Sequence, residues 1–81
     1  MQHDLKFERC VAVIGSMTRA MRAQSLLATS AIRTEVVKVD SSRTGHGCAY
    51  GIAFSGYQEE NVKRILQNVG IRVRSFYGES R

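Results

Sequence analysis

Two eight-residue stretches, LLATSAIR (residues 26–33) and ILQNVGIR (residues 65–72), lie 39 positions apart and can be laid one over the other. Each reads as the end of an apolar helical stripe followed by Ile-Arg and then strand-forming residues. A chain of 81 residues that repeats such a unit has little room for anything else, so the repeat bounds the fold before any single motif is considered. A chain this short is expected to form one domain over residues 1–81, and such a domain buries only about 60–65% of its unfolded surface.

The rest of the pattern fills in around the repeat. Residues 7–16 are rich in Val and Ile and predict a strand. Residues 17–29 carry Met17, Ala20, Met21, Gln24, Leu27 and Ala28 on a mostly apolar stripe, with Ser16 placed to cap the helix. Residues 33–40 predict a second strand. Residues 49–55 predict a third, with Tyr50, Ile52 and Phe54 on one face and Ala49, Gly51 and Ala53 on the other. Val62, Ile65, Leu66 and Val69 follow the i, i+3, i+4, i+7 rule of an amphipathic helix. Glu59 and Glu60 sit in its first turn, where the helix dipole favours anions, and Gly70 suits a left-handed cap. Residues 72–77 predict the last strand. The order βαββαβ predicts an α+β, ferredoxin-like sandwich: a four-stranded antiparallel sheet with both helices on one face. The handedness of crossover connections leaves few other topologies.

Charge and cysteine content narrow the function. Twelve Lys and Arg stand against seven Asp and Glu, a net charge of +5 that favours an acidic partner. No block of like charges marks a nucleic-acid tail. The first nine residues lack the apolar run of a signal peptide, and the longest apolar run, residues 11–14, is far below the ~20 needed to span a bilayer. The expectation is a cytoplasmic chain without a membrane partner. Cys10 and Cys48 show no metal-type spacing, and neither a metal nor a cofactor is expected.

The segment SSRTGHGCAYG (residues 41–51) holds the chemistry-bearing residues. In the expected topology the first and third strands are antiparallel neighbours. The start of strand three, and Cys48 with it, then lies beside the end of strand one, where Ser16 and Met17 open the first helix. A helix N-terminus presents unpaired N–H groups and a partial positive charge, and thiols placed there are acidified. Arg43 and His46 add positive charge, while Gly45 and Gly47 allow the backbone to turn its N–H groups inward as an anion-binding nest. Cys10 falls about five residues further along the strand, roughly 15–20 Å away, too far for a disulfide. It is expected to be a packed structural thiol, which leaves Cys48 as the candidate reactive group.

The stretches VIGSMTRAMRAQSLL, VVKVDSSR, GHGCAYGIAF and VKRILQNVGIRV together resemble the selenium/sulfur carrier-like domains, small bacterial domains, over nearly the whole chain. This chain has Ser42 where many members carry proline before the loop arginine. The resemblance implies that Cys48 accepts sulfur or selenium as a persulfide or perselenide and hands it on. On the placement argued above, Arg43, Gly45, His46 and Gly47 would form the surroundings of that sulfur, with Ser16 and Met17 supplying the helix start. The implied partners are donor and acceptor proteins, and the implied role is a carrier rather than a stand-alone enzyme.

Two other classes fit parts of the pattern. A regulatory module could hold a small anion between GSMT and SRTGHG, framed by Arg72 and Arg74, and dimerise through the flat Ala49–Gly51–Ala53 face of its sheet. An RNA-recognition domain shares the expected topology, and CAYGIAFS echoes its third-strand signature. Ile52 and Ser55 stand where stacking aromatics belong, and nucleic acid is not the expected partner.

Overall fold

The computed structural model describes residues 9–40 and 49–79. The elements run β1 (Arg9–Gly15), α1 (Met17–Ala28), β2 (Glu35–Val39), β3 (Ala49–Ser55), a 3-10 turn (Gly56–Gln58), α2 (Glu59–Asn68) and β4 (Ser75–Glu79). The four strands form one open antiparallel sheet in the order β2-β3-β1-β4. β1 and β3 are thus central, and each non-polar run is long enough to be covered on both sides.

The period-2 alternation sorts the sheet residues. Cys10, Ala12, Ile14, Ile52 and Phe54 join Ala20, Ala23 and Leu27 of α1 and Val62 and Leu66 of α2 in one buried cluster. Across the sheet, Val11, Val13, Val39, Ala49 and Ala53 form a second, with Val37 and Tyr77 packed against it. Ala49 and Ala53 are each only 4% exposed, so this stretch of β3 is not the open flat face that the dimerisation reading requires. Tyr50 packs partly buried on the helix side, which removes it as a stacking platform on an uncovered sheet face.

One close approach sets the β1–β3 contact. β1 shifts register between Val13 and Gly15, and Gly51 faces this irregularity. A Cβ at position 51 would collide with the carbonyl oxygen of Ala12. Glycine is required here by space rather than by backbone angle.

The repeat seen in the sequence is repeated in structure. The Ile32 N–H donates to the Leu27 carbonyl at 3.0 Å, and the Ile71 N–H donates to the Leu66 carbonyl at 2.9 Å. Both are six-to-one closures of a helix end, and in both the residue before the isoleucine is left-handed: Ala31 at φ 63° and Gly70 at φ 79°. Ile32 and Ile71 drop into the helix-side core. These caps delay the strands that follow. β2 starts at Glu35 rather than 33, after the Gln24 side-chain amide has donated to the Thr34 carbonyl. β4 starts at Ser75 rather than 72, because Ile71 is still closing α2 and the first N–H to reach β1 is that of Arg74, donating to the Val13 carbonyl at 2.8 Å. Arg72 and Arg74 therefore precede the strand on which the sequence pattern puts them.

Candidate functional site

The expected site lies where β1 hands over to α1. Gly15, opposite Tyr50 in the register, has φ 133°, a conformation that side chains resist. It turns the chain from the sheet into the helix. Ser16 then adopts extended backbone, and its Oγ accepts the Arg19 N–H at 3.2 Å while its carbonyl accepts the Ala20 N–H at 3.0 Å. These are the bonds of a helix N-cap. Met17 opens α1 and is 47% exposed.

The Arg74 guanidinium packs against Gly15. A Cβ on Gly15 would stand 3.5 Å from Nη2 and 3.6 Å from Cζ. A full positive charge therefore lies beside the residue that leads into the helix cap. Sequence patterning names Arg74 only as one of two arginines framing an anion. Its seat over a glycine in this conformation is legible only once the β1–β4 pairing is known.

β3 begins at Ala49, and its second residue faces Gly15. The start of β3 is thus at the α1 end of β1, as the antiparallel argument expects. Ser16 and Met17 are in place at that end. The other candidate residues, Arg43, Gly45, His46, Gly47 and Cys48, lie outside the described residues.

Cys10 is at the opposite end of the β1–β3 pair, facing Phe54 across the ladder. It is a free thiol, 3% exposed. Its Sγ lies 3.9 Å from Glu59 Oε1, in position to donate a weak hydrogen bond. Burial pushes the Cys10 thiol pKa up, and the Glu59 carboxylate pushes it further by disfavouring a second negative charge nearby. Glu59 also holds Lys63 at 3.0 Å, and the Lys63 ammonium sits 4.9 Å above the Phe76 ring. The Lys63 pKa is raised by its hydrogen bond to Glu59. A thiol in this setting is a poor nucleophile.

Among the described residues no group of three His, Cys, Asp or Glu could hold a metal ion, and no helix is long and apolar enough to cross a membrane. A cleft of about 480 Å3 opens near Arg9, Arg33, Thr34 and Ser55, at the Cys10 end of the sheet. An Arg9–Glu35 ion pair at 3.6 Å lines it.

No curated protein and no solved structure matches the chain. A family model does: the one described as "Putative Se/S carrier protein-like" matches residues 9–78, from the first residue of β1 into β4. That span takes in both halves of the repeat and the whole segment between β2 and β3, and the chain belongs to the Se/S carrier-like family.

Proposed function

We propose that the chain is a sulfur or selenium carrier module whose working group is the Cys48 thiol. The observation that carries this reading is the register of β1 against β3. Ala49, the residue after Cys48, begins β3 at the end of β1 that opens α1. The first turn of α1 and the Arg74 guanidinium both place positive potential there. That potential favours a thiolate over a thiol and a persulfide anion over its acid. Family membership supports the same reading, and the buried, acid-flanked Cys10 offers no competing nucleophile.

The transfer balances without an external oxidant. The Cys48 thiolate attacks the outer sulfur of a donor persulfide, R–S–SH. The donor S–S bond breaks, and the electron pair leaves on the donor as R–S⁻. Cys48 then carries –S–SH, and the terminal proton has travelled with the sulfur. The reverse attack by an acceptor thiolate regenerates Cys48. Arg43, Gly45, His46 and Gly47 are assigned to surround the terminal sulfur, with Ser16 and Met17 on its helix side. The partners are a donor and an acceptor protein, and no metal or cofactor takes part.

The same proposal includes the fold in its finer form. The strand order β2-β3-β1-β4 and the joint packing of α1 and α2 on one cluster support a ferredoxin-like sandwich formed as one domain.

The test is an alkylation series on the full chain across pH, with Cys48→Ser as the control. The expected result is a Cys48 titration below the free-cysteine value of about 8.5, with Cys10 alkylated only on unfolding. Incubation with a persulfide donor should add the mass of one sulfur atom to Cys48. A titration at or above the free-cysteine value, with no sulfur gained, would overturn the reading.

A further inference from the structure

The helices of this chain treat charge differently. α2 places Glu59 and Glu60 in its first turn, as the helix dipole favours. α1 has no acidic residue in its first turn and instead carries Arg19 there and Arg22 one turn on. A cation near a helix N-terminus is electrostatically unfavourable. Local rules are most often broken where function requires it.

Arg19 and Arg22 are three residues apart and so share one face of α1. Together with Gly70, Ile71 and Arg72 they line a cleft of about 400 Å3 between α1 and the segment leaving α2. Three arginines thus line one concavity, and among the described residues no carboxylate does. Among the described residues none of the three side chains makes an ion pair or hydrogen bond. The described carboxylates with known partners are engaged elsewhere, Glu35 with Arg9 and Glu59 with Lys63. The floor is fixed rather than soft. Ile71 is buried and its N–H is bonded to the Leu66 carbonyl, so Arg72 is held next to an anchored residue. Gly70, at φ 79°, presents no side chain to fill the space.

We propose that this cleft binds a phosphate-bearing ligand, clamped by Arg19, Arg22 and Arg72. Charge selects phosphate over carboxylate. A carboxylate brings one negative charge at one point, whereas a terminal phosphate brings about 1.5 to 2 and three acceptor oxygens, and a nucleic-acid backbone repeats one charge at every phosphate. Planar guanidinium forks match phosphate oxygens in pairs, which a lysine cannot do. The partial negative charge at the end of α2, about half an electron, is outweighed by three full cations. The site is independent of Cys48 chemistry and stands or falls separately.

The phosphate can come from a free diphosphate compound or from a nucleic-acid backbone, and two probes distinguish them. The full chain is titrated with inorganic pyrophosphate and, separately, with short single-stranded RNA, in about 50 mM salt and again in about 200 mM. The readout is the Nε–Hε resonances of its arginines. Saturable shifts at Arg19, Arg22 and Arg72, with Arg33 unmoved, are expected. Arg22→Gln and Arg72→Gln should each weaken binding about fivefold or more, and Arg72→Lys should restore only part of it. All three arginines are exposed, so these variants should retain the helical circular dichroism of the parent. Pyrophosphate binding as tight as RNA assigns the site to a small diphosphate compound. RNA binding alone, with a steep loss at the higher salt, assigns it to a phosphodiester chain. No saturable shift with either probe, shifts equal at Arg33, or binding unchanged in Arg22→Gln and Arg72→Gln would overturn the proposal.

Discussion

Ala31 holds a left-handed backbone, φ 63°, at the position where the second half of the chain has Gly70 at φ 79°. The two caps are otherwise alike, down to the isoleucine that follows and the carbonyl it reaches back to. The left-handed conformation costs a residue with a Cβ about 1–2 kcal/mol, and glycine gives back about 0.5–1 kcal/mol in chain entropy. Ala31→Gly should therefore stabilise the protein by about 0.5–1 kcal/mol. A urea titration measures it as a higher midpoint at unchanged slope. Because Ala31 is exposed, no packing loss blurs the comparison. An equal or lower midpoint would mean that the α1 cap does not strain its alanine.

At the scale of elements, β1 and α2 meet through Cys10 and Glu59, and the contact has a pH signature. The Cys10 pKa is raised above its ordinary value, first by burial and then by Glu59. The folded state therefore holds the thiol proton more tightly than the unfolded chain does. The stability this contributes is complete below about pH 9, and it is lost as pH climbs from there through the higher folded value. Cys10→Ala should lower stability at neutral pH by removing packed atoms, yet flatten the decline above pH 9. Urea midpoints of both proteins across the alkaline range give the two slopes, and parallel slopes would remove Cys10 from the account. The helices and their order were legible in the sequence because Val62, Leu66 and their counterparts on α1 repeat at the helical period. The bounds of β3 were legible to the residue, since Ala49–Ser55 alternates cleanly and is bounded by Gly56. The strand starts after each helix were not. Residues 32–34 and 71–74 have strand-like composition, but the helix caps claim their first amides, and a hydrogen bond spanning five residues leaves no mark on periodicity. The handover at Gly15–Ser16 was legible as a cap, whereas the seat of Arg74 over Gly15 was not, because it joins the first strand to the approach of the last. The same holds for the Arg19, Arg22 and Arg72 cleft: the first two are visible as a helical pair, and only the fold adds the third.

The whole molecule is two copies of one plan sharing a core. Leu27 and Leu66 occupy equivalent places in the repeat, and both are fully buried in the cluster that joins α1, α2, β1 and β3. Central β1 and β3 carry the helix-side cluster on one face and the Val11–Val13 cluster on the other, so neither half can be opened without exposing residues that the other half covers. This argues for one cooperative transition rather than two. A chain of 81 residues has a stability of roughly 4–12 kcal/mol. Replacing a buried leucine by alanine costs about 2–5 kcal/mol. Leu27→Ala and Leu66→Ala should each take a large part of the margin, by similar amounts because their settings are similar. In each variant the urea transition followed by helix circular dichroism and by tyrosine fluorescence should remain single and coincident. The double variant should fall at or beyond the limit of folding at 25 °C. Two separated transitions in either single variant would show that the repeated halves fold as independent units, and the shared core would then not be what holds the start of β3 against the start of α1.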